Sequence, residues 1–219
     1  MHEVGIMVKL VKDTDGFISR HINRKISTRI SVFLVKSRFN VSPNEMTILS
    51  FLTAVLSACL FLWNFPFFGG IMAQISSILD GCDGEIARLT NRTSKNGEIL
   101  DAILDRFADG LIIMAMTILA YNTAPLVIER SLIIALGFLA LMGSFNISYS
   151  AAKGANVGYK YKRRWAGRDV RLFIVMIAGI VAVIVPASLF LFLLVLTVLT
   201  FSEVAIRIKE TFSRTLNSS

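Results

Sequence analysis

The chain is short of charge. Only 17% of its 219 residues are Asp, Glu, Lys or Arg, against 54% hydrophobic, and the mean hydropathy is +0.66. A soluble domain carries about a quarter charged residues, so this composition excludes an ordinary soluble globular protein. Cysteine is nearly absent as well. Cys59 and Cys82 fall in different apolar runs, with neither metal-ligand spacing nor a disulfide framework, and read as small packing residues. The stretch Met1–Asn44 is basic and broken up, without the apolar centre of a cleaved leader.

What is present is apolar and long. The runs Met46–Trp63, Leu111–Tyr121, Leu132–Met142 and Leu172–Phe201 stand out. About 20 helical residues cross a bilayer. Leu172–Phe201 exceeds that, and Pro186 near its middle divides it into two spans joined by a tight turn. Six spans result, at about 45–64, 68–89, 97–121, 130–152, 171–186 and 188–208. Asn64–Gly70 and Asn122–Pro125 supply turn chemistry between them. Before the first span, Ile18, Ile22, Ile26, Ile30 and Leu34 recur every four residues, with Arg20, Arg24, Lys25 and Arg29 off that stripe. This predicts a basic amphipathic helix lying in the membrane interface. The expected fold class is therefore all-α: a polytopic membrane protein of six transmembrane helices preceded by an interfacial amphipathic helix. Residues 1–40 form the basic N-terminal segment and 41–219 the six-helix membrane domain.

Charge sets the expected topology. With six spans, the N-terminus, the links 90–96 and 153–170 and the C-terminus share one side, which holds 21 of the 23 Lys and Arg. By the positive-inside rule that side is cytoplasmic, and the protein is a multi-pass protein of the cell membrane. A polybasic face beside anionic lipid also accounts for the net charge of +8, with no nucleic acid required.

The same side receives a set of acids. Asp80, Asp83, Gly84, Ala87 and Arg88 fall within an arc of about 140° on one helix. On the next span Gly97, Asp101 and Asp105 are spaced by four and share a face. The short polar link Thr90–Asn96 lets the two helices run antiparallel with these faces opposed. Four carboxylates then converge, and uncompensated they repel and force protonation. One or two divalent cations resolve this, which explains a set built from Asp alone. Gly84, Ala87 and Gly97 leave room for a ligand, and Arg88 supplies a fixed positive charge suited to phosphate. Glu85 points about 140° away from Asp80 and falls outside the set. A cation transporter would use the acids but leave the small residues and Arg88 without purpose.

These residues resemble the signature of the CDP-alcohol phosphotransferases. The string D80-G-C-D83-G84-E-I-A87-R88, eight residues, then G97-E-I-L-D101-A-I-L-D105 fits it at every defining position. The resemblance implies an enzyme that passes the phospho-alcohol part of a CDP-alcohol donor to a hydroxyl acceptor and releases CMP. It further implies that Asp80, Asp83, Asp101 and Asp105 bind Mg2+ or Mn2+ as a pair of ions, that Asp105 takes the acceptor's proton, and that the protein is a homodimer. Gly84, Arg88, Ser94 and Gly97 match nucleotide or phosphate positions. Ser42–Thr47 looks like the segment that opens the family's first span, so Asn44 and Thr47 are expected at the CDP moiety.

The acceptor is read from charge. The link Lys153–Arg171 lies beside the metal face, and Arg163, Arg164, Arg168 or Arg171 can bind a phosphorylated acceptor. Arg171 is the preferred one, because it begins the fifth span and is anchored there. KDTDGFISRHINRKIS looks like the connector of bifunctional enzymes in which a cytidylyltransferase domain precedes the phosphotransferase. Those make CDP-inositol and then di-myo-inositol phosphate phosphate, which sets the expected donor and product here. Either a separate cytidylyltransferase supplies the donor, or the chain is the membrane half of a longer protein. The alternative is a phospholipid synthase, moving a phosphatidyl-type group from a CDP-lipid to inositol phosphate, glycerol phosphate or another polyol.

Overall fold

The computed structural model of the protein describes residues 16, 18–37, 40–159, 161 and 165–215. Among them every regular element is a helix. A π-helical turn, Ser19–Asn23, runs into α1 (Arg24–Lys36), and six longer helices follow. They are α2 (Pro43–Leu62), α3 (Pro66–Leu89), α4 (Lys95–Thr123), α5 (Arg130–Asn156), α6 (Arg168–Ala182) and α7 (Ser188–Thr215).

Local chemistry starts and stops them. At the head of α2, Ser42 and Glu45 form a reciprocal capping box, and Pro43 occupies the first turn. Ser42 N–H donates to Glu45 Oε2 at 2.7 Å, and Glu45 N–H to Ser42 Oγ at 3.3 Å. Ser94 caps α4, its Oγ accepting from Gly97 N–H at 3.1 Å. Asn64 and Asn91 take left-handed backbone angles in the two tight links that flank α3. The expected division at Pro186 is present as the turn between α6 and α7.

The helices α2, α5 and α7 are long and apolar enough to cross a membrane, over Pro43–Leu62, Arg130–Asn156 and Ser188–Ser213. The remaining three carry the charged turns of the site or, for α6, are short. Its 15 residues span about 22 Å. It also begins a turn earlier than the expected fifth span and ends before Pro186. Over its described residues the protein is an all-helical membrane protein, with Leu52, Phe68, Phe107, Phe138 and Val198 turned outward from the bundle.

The core lies where α2 packs on α3 and α4, α3 on α6, and α5 on α7, around Phe61, Ile112, Met116, Ile133, Val175 and Leu193. Helix α6 approaches α3 backbone to backbone. A Cβ on Gly179 would collide with the Pro66 carbonyl oxygen, so glycine there sets the distance between two elements of the site.

Helix α1 departs from its expected simple division into apolar and basic faces. Ile22, Ile26 and Phe33 are exposed, while Ile30 and Leu34 pack near Met46, Cys82 and Ile86. Polar residues share the side turned to α3: Arg24, Ser27, Thr28 and Ser31 are buried.

Candidate active site

Near their ends joined by Thr90–Ser94, α3 and α4 bring the expected aspartates together. One carboxylate oxygen from each of Asp80, Asp101 and Asp105 lies within 4.8 Å of the others. Asp83 lines the same space but is tied sideways, accepting from Thr47 Oγ1 at 2.6 Å. Thus α2 reaches the cluster through a residue that the sequence associated with the nucleotide end. Asp101 Oδ1 is buried without a hydrogen-bond partner. An unpaired carboxylate oxygen facing two other carboxylates is an arrangement that a hard divalent cation satisfies.

Arg106 Nη2 lies 3.5 Å from Asp105 Oδ2, and Arg168, at the start of α6, meets the cluster more closely. Its Nη1 lies 2.8 Å from Asp80 Oδ1 and 2.9 Å from Asp105 Oδ1. Its Nε reaches Asp109 Oδ1 at 3.3 Å. Arg171 is engaged elsewhere: it pairs with Asp109 Oδ2 and donates to the Ala166 carbonyl. Helix α6 begins at Arg168, about one turn before the expected fifth span. It turns Arg171 into the packed interior, 3% exposed, and leaves Arg168 at the helix mouth. Arg163 and Arg164 lie outside the described residues. Asp109, deeper on α4 and outside the signature, is the acid that holds both arginines.

Two cavities meet here. A smaller one, about 150 Å³, is lined by Asn44, Thr47, Arg88, Ser94, Gly97 and neighbours. A larger one, about 330 Å³, runs past Asp80 and Asp105 to Arg168 on α6 and to Asn23 and Arg24 on the N-terminal helix. Asp83, Gly84, Arg88 and Asp101 line both. A Cβ on Gly97 would lie 3.2 Å from Asn44 Oδ1 and one on Gly84 3.2 Å from Arg88 Nη1. Both glycines therefore keep polar groups close at the junction.

A polar network missing from the sequence expectation lies behind the site. Glu85 is fully buried. Its Oε1 accepts from Arg24 Nη1 at 2.8 Å, Ser27 Oγ at 2.9 Å and Thr28 Oγ1 at 3.0 Å, and its Oε2 from Ser31 Oγ at 2.8 Å. The donors recur at i, i+3, i+4 and i+7 on α1, a helical polar stripe that was a readable signal. A second buried pair, Glu203 and Arg207 on α7, holds the approach to α6 through Trp165 N–H, which donates to Glu203 Oε2 at 3.1 Å.

The family follows from more than the aspartates. The sequence model of the CDP-alcohol phosphatidyltransferase family matches residues 40–207, and the chain belongs to that family. It is 43% identical over 205 residues to the bifunctional IPC transferase and DIPP synthase of Thermococcus kodakarensis, covering 90% of this chain and 44% of that protein. The Archaeoglobus fulgidus protein of the same name is 38% identical over 200 residues, covering 88% of this chain and 38% of its own length. The chain thus spans less than half the length of these curated relatives. The crystal structure of Mycobacterium tuberculosis phosphatidylinositol phosphate synthase with CDP-DAG bound superposes with a TM-score of 0.70 at 26% identity, covering 84% of this chain and 92% of that one. The same enzyme has been solved in complex with manganese and citrate.

Proposed function

We propose that the chain transfers the phospho-alcohol group of CDP-inositol to an inositol phosphate, giving di-myo-inositol phosphate phosphate and CMP. The observation that carries this reading is the placing of Asp80, Asp83, Asp101 and Asp105 where two cavities join. The smaller cavity takes the cytidine end, with Asn44, Thr47, Ser94 and Gly97 around it and Arg88 on the phosphates. The larger takes the alcohol and the acceptor, with Arg168 facing the acceptor's phosphate.

In the reaction the acceptor's hydroxyl oxygen attacks the phosphorus that bears the donor alcohol. The bond from that phosphorus to the bridging oxygen breaks, and CMP leaves with the electron pair. Asp105, one helical turn beyond Asp101, receives the hydroxyl proton. Arg88 and Arg168 hold the two phosphate groups apart and in line. Mg2+ or Mn2+, bound as a pair by the four aspartates, supplies neutralisation of the charge on the pyrophosphate oxygens.

The membrane arrangement in this proposal has six spans, with the site on the cytoplasmic side of the cell membrane and α1 in the interface. Residues 1–40 act as the interfacial segment, 41–219 as the catalytic domain, and two copies assemble as a homodimer. A cytidylyltransferase domain or a separate protein provides the donor. The 43% identity to a protein named for DIPP synthesis supports the soluble-donor reading. A second reading, a phospholipid synthase using a CDP-lipid, is favoured by the likeness to the structure holding CDP-DAG.

A CMP-release screen of purified protein decides between them. CDP-inositol and a CDP-lipid are each paired with inositol, inositol phosphate, glycerol phosphate and serine. Turnover with CDP-inositol and inositol phosphate supports the first reading, and turnover with the CDP-lipid alone supports the second. No CMP from any pair contradicts both.

A further inference from the structure

The N-terminal helix is fastened to both walls of the larger cavity. At its start, Ser19 N–H donates to Asp169 Oδ2 at 2.7 Å, beside Arg168. Further along, the four donors of α1 close on Glu85. Arg24 Nη1 also donates to the Gly81 carbonyl at 3.2 Å, and Cys82 Sγ to the Ser27 carbonyl at 3.6 Å. These contacts fall on the same two turns of α3 that carry Asp80, Asp83, Gly84 and Arg88, with Cys82 and Glu85 on the side away from Asp80. Helix α1 grips that segment from behind while Asn23, Arg24 and Ser27 line the cavity.

The lever arm is short and sensitive. A carboxylate about 6 Å from a helix axis moves by about 1 Å when the helix turns by about 10°. A misplacement of about 1 Å can cost about a hundredfold in rate. Four donors on one buried carboxylate fix that rotation more closely than apolar packing, because each has its own direction.

We propose that α1 is a brace that sets the rotation of the metal-bearing turns of α3, and that Glu85 is its positioning residue. This rests on the reading of the aspartates as metal ligands. Glu85 touches no substrate and acts through Asp80 and Asp83. The consequence is that an N-terminal helix outside the family signature tunes metal affinity and turnover.

The test uses the full chain in detergent, with Mn2+ binding read by electron paramagnetic resonance beside CMP-release kinetics. Glu85→Gln should stay monodisperse and helical, weaken Mn2+ binding about tenfold (about 1.4 kcal/mol) and lower kcat by at least about tenfold. The KM for the CDP-alcohol should stay within about threefold of wild type. The double variant Thr28→Val/Ser31→Ala removes two neutral donors and should weaken Mn2+ binding about threefold. A folded Glu85→Gln protein with wild-type Mn2+ affinity and kcat overturns the brace. If Glu85→Gln does not fold, wild-type Mn2+ affinity in the double variant overturns it. A wild-type protein that binds no Mn2+ overturns the metal reading and the brace together. One that binds Mn2+ but releases no CMP contradicts the transferase alone, and the brace is still judged by the titrations.

Discussion

Acids on α3 are treated in opposite ways on its two faces. On the front, Asp80 shares one arginine with Asp105 and Asp109, and the facing Asp101 on α4 leaves a buried oxygen with no partner. On the back, Glu85 accepts from an arginine and three hydroxyls. A protein that completes the coordination of one carboxylate and leaves others crowded and incomplete has placed an excess of negative charge where a cation belongs. The back face is fastened; the front face is left to bind. Glu203 with Arg207 and Arg171 with Asp109 belong to the fastened kind.

Substitutions should separate the two kinds. The largest effect on turnover is expected at the front: Asp80→Asn, Asp83→Asn, Asp101→Asn and Asp105→Asn should each cut CMP release by at least about a hundredfold. Chelation should abolish activity, and added Mg2+ or Mn2+ should restore it. In chelator, Asp101→Asn should keep or raise the melting temperature, because it removes a repelling charge and no ion pair. The largest effect on stability is expected at the back. Glu85→Ala removes the buried carboxylate that balances the Arg24 charge and should cost about 3–5 kcal/mol, read as a large drop in the melting temperature in detergent. Glu85→Leu combined with Arg24→Met should recover part of that loss, since no buried charge is left alone. A stable Glu85→Ala protein beside an unstable Asp101→Asn protein would reverse the comparison.

Smaller effects sharpen it. Arg168→Ala should raise the acceptor KM about tenfold or more, from a charge-assisted contact of about 1.5–3 kcal/mol, and leave the donor KM little changed. Arg171→Ala should instead lower the melting temperature, since its partners are Asp109 and the Ala166 carbonyl. Equal acceptor defects in the two variants would contradict this division of roles. Ser42→Ala should do least, costing about 1 kcal/mol through loss of the α2 cap, seen as a small shift in thermal unfolding.

Much of this was legible in the sequence, and the physical reasons are specific. The spacing of four between Gly97, Asp101 and Asp105, and the arc from Asp83 to Arg88, are properties of single helices, so they survive into three dimensions. The runs of apolar residues become helices for the same reason, though α6, at 15 residues, is short. What was hidden depends on contacts across the chain. Arg24 and Glu85 are 61 residues apart, and no periodicity in either helix pairs them. That Arg168 rather than Arg171 meets Asp80 and Asp105 depends on how α6 packs, which is again a contact across the chain. Asp109 follows Asp105 at the same spacing of four, yet it lies deep enough to serve the arginines instead.

The most direct test of the central claim is single-turnover CMP release with CDP-inositol and inositol phosphate, comparing wild type with Asp105→Asn in the same detergent and Mg2+. The account predicts rapid CMP release by wild type and a loss of at least about a hundredfold in the variant, with CDP-inositol binding retained in a separate titration. Equal rates for the two proteins would contradict it.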